Sequence, residues 1–228
     1  ATGPLQQIIM SLKAVKNKIK SIDKTRQVTK AMEAVSAVKM RKSQSLALGT
    51  RPYALSAMRI LQTISGRVEA MLHPLMNERP VKRTLVVVVS ADKGLAGSFG
   101  SALLKNAYRF MAENKLDSSN TVLVTIGKKA HEHFVKREWN VLAHYEKWGD
   151  KVVFSDVKPL AGIIKDGYLK GDFDAAHIVY TNFVSTLRQE VYARKLLPVT
   201  FASVEEAVRG ILPKQGKFSE LAAADSVP

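Results

Sequence analysis

Residues 5–44 read LQQIIMSLKAVKNKIKSIDKTRQVTKAMEAVSAVKMRKSQ, forty positions without a glycine or a proline. Ile8, Leu12, Val15, Ile19 and Ile22 recur at alternating steps of four and three, the rhythm of a coiled-coil strand. At about 1.5 Å per residue the run makes a rod of roughly 60 Å, too long to bury its own stripe. After Ile22 the seam hesitates at Thr25, Arg26 and Thr29, then resumes at Val28, Met32, Val35 and Val38. The resumed face carries Ala31, Ala34, Ser36 and Ala37, small residues that admit a second backbone.

Charge singles out the same run. Of a net +15, ten Lys and Arg against Asp23 and Glu33 place +8 between Leu5 and Ser45, leaving +7 for the longer remainder. The partner of such a helix should be acidic: nucleic acid, an anionic membrane or an acidic protein surface. With 46% apolar and 24% charged residues in 228 positions, the chain has globular composition. The absence of Cys excludes disulfides and Cys-ligated zinc, and fits a reducing compartment. No apolar run approaches the roughly 18 residues of a membrane span, and ATGPLQQ lacks the layout of a secretory signal.

Outward from the rod, Gly49-Thr-Arg-Pro52 predicts an interruption where the helix bends or restarts. Leu61, Ile64, Val68, Met71 and Leu75 continue a second amphipathic stretch, ending by Pro74 or Pro80. From Val81 the texture changes. Thr84–Ser90 is a β-branched run that reads as a strand buried on both faces, and Asp92–Gly100 is a Gly-rich turn into a helix carrying Leu103, Leu104, Ala107, Tyr108 and Met111. Further strands are expected at 121–126, 141–145, 175–180 and, on an edge, 188–197. Helices are expected at 128–137 and after a cap at Ser155 or Asp156. This alternation predicts an α/β class: a long N-terminal coiled-coil helix plus a Rossmann-like, mostly parallel α/β domain. The division expected is 1–80 helical shaft, bent near Pro52, 81–198 globular domain, and 199–228 irregular tail with one short helical pattern at Val204–Ile211.

The chemical motifs are incomplete. Gly94, Gly97 and Gly100 are spaced G-x-x-G-x-x-G, whereas a dinucleotide fingerprint needs G-x-G-x-x-G, and no Walker pattern follows. Asp92 and Lys93 stand where ligands often bind. The alternatives are a tight structural turn or a nucleotide-binding α/β enzyme. His131 and His133 are two apart on a helix and diverge, so they do not converge on a metal. His73, His144 and His177 are isolated, and Trp139 and Trp148 cap the core or a contact surface. A nucleic-acid-binding module would explain the charge of the first helix but not its seam, and no aromatics interleave with its cations.

The stretch 18–45, with TKAMEAV followed by KMRKSQ, resembles the N-terminal helix of the γ subunit of the rotary F-type ATP synthase. Arg51-Pro-Tyr53, Leu196-Leu-Pro198 and HIVYTNF are similar as well. SADKGLAGSFG resembles the family's S-D-K/R-G-L-C-G turn, with Ala91 inserted after Ser90 and Ala96 where Cys is common. The resemblance spans about Leu12 to Pro198. It implies a central rotor shaft passing through a ring of α and β subunits, with the α/β domain on the membrane rotor ring beside the small ε (or δ) subunit. It implies a non-catalytic chain without a cofactor or nucleic acid, meeting the membrane only through its complex. The complex would be peripheral to an energy-transducing membrane, on the bacterial cytoplasmic face or the mitochondrial matrix side. The lack of Cys argues against the thiol-regulated plastid version. Carried over, Lys30, Met32, Lys39, Met40, Arg41 and Lys42 are the partner-contact positions, and Asp92, Lys93, Gly94, Leu95 and Gly97 shape the turn. The family's second long helix, antiparallel to the first, has no counterpart after Pro198. Without it the shaft is expected to be weaker and to aggregate alone.

Overall fold

The computed structural model describes residues 4–65, 73–149, 152–185 and 188–211, with side chains over 12–64 in the first helix and up to Gly210 in the last. The chain divides into two compact units, 1–48 and 49–228.

The first unit is helical throughout its described residues. It belongs to α1, Pro4–Ser65, which continues into the second unit. Of the two outcomes expected at Gly49–Pro52, a bend or a restart, the restart is corrected: the helix runs on through Pro52. Proline removes one N–H, the donor owed to the carbonyl of Leu48, and intact turns on both sides outweigh that single loss. The part of α1 around Pro52 is also anchored, with Leu55 buried and Arg51 Nη2 donating to Phe183 O at 2.7 Å. Of the second amphipathic stretch, Val68 and Met71 lie outside the described residues. Leu75 sits in a turn and packs on the core.

The second unit is a three-layer α/β fold. Its strands are β1 (Thr84–Val89), β2 (Thr121–Ile126), β3 (Val141–Tyr145), β4 (Ala175–Phe183) and β5 (Gln189–Leu197). Their spatial order is β3-β2-β1-β4-β5. The first four are parallel, and only the edge strand β5 runs antiparallel, against β4. Successive residues of β1 feed opposite layers, as the period of two requires. Leu85 and Val87 pack with Leu160, Tyr168 and Phe173 on one side, and Val86 and Val88 with Leu103, Met111 and Phe134 on the other. The second face is covered by α2 (Phe99–Glu113) and α3 (Lys128–Val135). The first is covered by α4 (Phe154–Lys170).

Two boundaries differ from the sequence pattern. The boundary residue of α4 is Val153, not Ser155 or Asp156. Asp156 is the third helical residue, and its Oδ2 accepts the N–H of Val153 at 2.9 Å, an acid placed favourably in the first turn. The helix α3 ends two residues early because Glu138 turns left-handed (φ 58°), which lays Trp139 against Phe134, ring centroids 5.9 Å apart. In the last segment, the helical pattern expected at Val204–Ile211 is a helix, α5, which spans Phe201–Ile211 and so starts three residues earlier, while 212–228 lie outside the described residues. Its start is fixed by a reciprocal pair, Thr200 N–H to Ser203 Oγ and Ser203 N–H to Thr200 Oγ1.

Candidate functional site

In the first unit, apolar side chains that a folded domain would hide face water. Leu12, Val15, Ile19, Ile22, Val28, Met32, Val35 and Val38 are each between 51% and 59% exposed. Where the seam hesitates, Thr25 Oγ1 donates to Ser21 O (2.9 Å) and Thr29 Oγ1 to Thr25 O (2.8 Å). Both hydroxyls are thus satisfied within the helix, so the interruption adds no unmet polar group to an apolar contact. Lys30, Met32, Lys39, Met40, Arg41 and Lys42 are all exposed. At about 100° per residue, Met32 and Lys39 share one face, while Lys30 and Arg41 share another roughly opposite. The six positions ring the helix instead of forming one patch, which is the surface a surrounding sleeve would read.

In the second unit, the Gly-rich turn lies at the carboxyl end of β1, the central strand, where open α/β sheets commonly bind ligands. Its leading residues are engaged by the fold itself. Asp92 Oδ1 accepts the N–H of Lys128 (3.0 Å) and Oδ2 that of Lys147 (2.9 Å). Ser90 Oγ accepts the N–H of Ala130 (2.8 Å), and Ala91 O that of Lys129 (3.1 Å). The first turn of α3 is therefore capped from within by 90–92, and its positive end is not presented to a ligand. Gly127 precedes α3 at φ 91°, and a Cβ there would lie 2.2 Å from Ser90 O. Only glycine lets the two strand ends meet. Downstream, Lys93, Gly94 and Gly97 are exposed, Gly97 is left-handed, and Leu95 is 96% exposed at φ 60°.

The histidines of α3 diverge as their spacing requires. His133 packs edge-on to Tyr108, and His131 stacks on His144 with ring centroids 4.0 Å apart. His144 is therefore not isolated. The register that places Thr125 beside His144 also lets the Thr125 hydroxyl bond both ring Nδ1 atoms, at 3.1 and 3.4 Å. Burial first, then the neighbouring His144, pushes His131 below the usual imidazole range. Among the described residues no group of three or more His, Cys, Asp or Glu is arranged to hold a metal.

A second arrangement escaped the sequence. Arg79 Nε donates to Asp174 Oδ1 at 2.8 Å, and its guanidinium stands 4.3 Å over the Tyr168 ring. The N–H groups of Lys82 and Arg83 donate to Asp174 Oδ2. Burial alone would raise the Asp174 carboxyl, but those N–H groups and Arg79 outweigh it and hold it below the usual range. This knot ties the lead-in of β1 to the α4–β4 turn. Its only trace in the sequence is a lone Arg and a lone Asp 95 residues apart. No helix of the described residues is long and apolar enough to cross a membrane.

Comparison with known proteins agrees with this architecture. The family described as ATP synthase matches residues 11–224. The ATP synthase gamma chain of Desulforamulus reducens is 35% identical over 86% of this chain and 68% of its own length. That of Anaeromyxobacter dehalogenans is 34% identical over 96% of this chain and 76% of its own. The chain thus spans about two-thirds to three-quarters of these relatives. In fold it is similar to a chain in the central stalk and c-ring structure of the Tetrahymena thermophila mitochondrial ATP synthase, with a TM-score of 0.60 at 21% identity, over 87% of this chain and 84% of that one. A long helix with an exposed seam, a mostly parallel sheet whose signature turn is closed by the fold's own groups, and a family match across both units place the chain in the ATP synthase gamma-chain family.

Proposed function

We propose that this chain is the central rotor stalk subunit of an F-type ATP synthase, coupling proton-driven rotation to conformational change in a catalytic ring of α and β subunits. The chain itself is non-catalytic, and nucleotide chemistry belongs to the ring. Its other partners are a small ε (or δ) subunit and the membrane rotor ring. It meets the membrane only through that complex, on the cytoplasmic face of a bacterial membrane or the matrix side of a mitochondrial one.

The observation that carries this reading is the exposed seam of α1 inside a basic surface. The seam supplies an apolar bearing face. The cations around it supply attraction to acidic loops that survives a change of angle. An exposed ion pair contributes at most about 1 kcal/mol and is screened beyond about 8 Å at physiological salt. Many such pairs, distributed around the helix, hold a shaft on its axis without locking it at one angle. The closed turn at 90–92 supports the non-catalytic assignment, since the Asp92 carboxylate already binds two backbone N–H groups.

Affinity purification of the tagged chain from gently solubilised membranes of its source tests the proposal. An acidic hexameric ATPase should travel with it. Stoichiometric adenine nucleotide binding to the isolated chain, or recovery with nucleic acid in place of the ATPase, would overturn it.

A further inference from the structure

The two segments that Asp92 ties together also carry a stacked pair of histidines. Lys128, whose N–H meets Asp92 Oδ1, lies three residues before His131 on α3. Lys147, whose N–H meets Asp92 Oδ2, lies three residues after His144 at the exit of β3. The imidazoles stack with centroids 4.0 Å apart and planes 16° from parallel. The Thr125 hydroxyl of β2, in a fully buried residue, reaches Nδ1 of both rings, at 3.4 Å for His131 and 3.1 Å for His144. The His144 side chain keeps 22% exposure, so protons reach the pair from solvent.

The arrangement matches one added proton and not two. A hydroxyl has one hydrogen to give and lone pairs to receive with. With one ring offering an Nδ1 lone pair and the other an Nδ1–H, Thr125 donates to the first and accepts from the second. One added proton preserves that pattern, because the imidazolium donates and the neutral ring accepts. A second proton turns both Nδ1–H groups on the hydroxyl oxygen, strands its hydrogen in a buried site and sets two cations 4.0 Å apart. The surrounding charges do not offset it. Glu146 Oε2 lies 3.6 Å from His144 Nε2 and also holds Lys147 Nζ at 2.7 Å. Glu132, beside His131 on α3, is paired with Lys128 and Lys129, and His133 turns to the Tyr108 side. Asp92 is occupied by its two N–H groups, and β2 (TVLVTI) brings no charge. Burial and the neighbouring His144 hold His131 below the ordinary imidazole value against the pull of Glu146 and Glu132.

We propose that the His131–His144 pair is a proton-operated latch on the Gly-rich turn. With no added proton or one, it holds α3 on β3, and Asp92 keeps both of its donors. Uptake of the second proton drives α3, only eight residues long, off the edge strand β3 and opens the turn at 90–92. The latch is independent of the rotor assignment, since every group in it belongs to the α/β unit.

NMR titration and amide hydrogen exchange of the folded 228-residue chain test it. The two Cε1–H resonances should titrate in two coupled steps, the second below pH 6.5. Between about pH 7.5 and 5, exchange at the Lys128, Ala130 and Lys147 amides should accelerate at least tenfold relative to Val87, after correction for the intrinsic pH dependence. Those three amides are bonded to Asp92 and Ser90, whereas Val87 in the central strand reports global opening. His131→Gln cannot take the second proton and should abolish the acceleration. His133→Gln, on the Tyr108 side of α3, should retain it. Two independent imidazole titrations, an acceleration that only follows Val87, or one that persists in His131→Gln would each overturn the proposal. The first two are read on the wild-type chain and stand even if His131→Gln does not fold.

Discussion

Ser90, Asp92 and Gly127 form the tightest argument at the scale of single residues. Ser90→Ala strands the N–H of Ala130, and the loss of a helix-capping acceptor costs about 1–2 kcal/mol. Gly127→Ala should cost more, because a Cβ 2.2 Å from Ser90 O forces two strand ends apart at a left-handed φ. Urea unfolding of both variants checks the order, and a Gly127→Ala chain as stable as wild type would contradict the packing. The role of these residues was half legible. A Gly-rich turn after a strand announced itself, but the partners of Asp92 arrive from 36 and 55 positions downstream, a distance over which no local pattern speaks.

His177 carries a pH dependence of its own. It lies on β4 against the Phe110 ring, 5.1 Å between centroids, and its Nδ1 has no partner. Burial first, then Lys195, lowers its pKa from 6.5 to about 4. The folded chain therefore keeps His177 neutral while the unfolded chain takes up a proton. Its effect on stability is absent above pH 6.5, and stability is lost as pH falls from 6.5 toward 4. At pH 5 the loss is roughly 2 kcal/mol. His177→Gln should remove that part of the slope in urea melts at pH 7 and 5; equal slopes would contradict it.

At the scale of elements, sequence periodicity served the sheet well. The strand at 121–126 ends where its β-branched run ends, because a buried strand must be apolar on both faces and its flanks need not be. It served the long helix less well. By local propensity Pro52 reads as a bend or a restart, and the turns on either side carry the helix through without a restart. Pro52→Ala should then raise the melting temperature, since Pro costs about 3 kcal/mol relative to Ala inside a helix; a lower melting temperature would mean the helix depends on a break at that point. The basic face makes a separate prediction. Neutralising Lys39 alone should change ring affinity by less than tenfold. Replacing Lys30, Lys39, Arg41 and Lys42 together by Gln should abolish salt-sensitive assembly, as a set of weak screened attractions requires. Pull-down across a salt series separates the two cases.

At the scale of the whole molecule, the chemistry of the chain is in its surfaces. The helix unit exposes apolar and basic residues that ask for partners, and the α/β unit closes on itself the turn where a nucleotide enzyme would open. Periodicity and charge in the sequence pointed to the first feature, while the incomplete G-x-x-G-x-x-G spacing left the second open between a structural turn and a nucleotide site. The Arg79–Asp174 knot and the His131–His144 stack were invisible, because each joins residues whose neighbours in sequence carry no shared pattern.

Photo-crosslinking from two sides of α1 tests the central claim most directly. Lys39 and Arg41 are two residues apart and so point about 200° from one another. With a photoreactive side chain at either position in the assembled complex, each should yield adducts with subunits of the catalytic ring, as a shaft inside a sleeve requires. Illumination that gives ring adducts from neither position would contradict it.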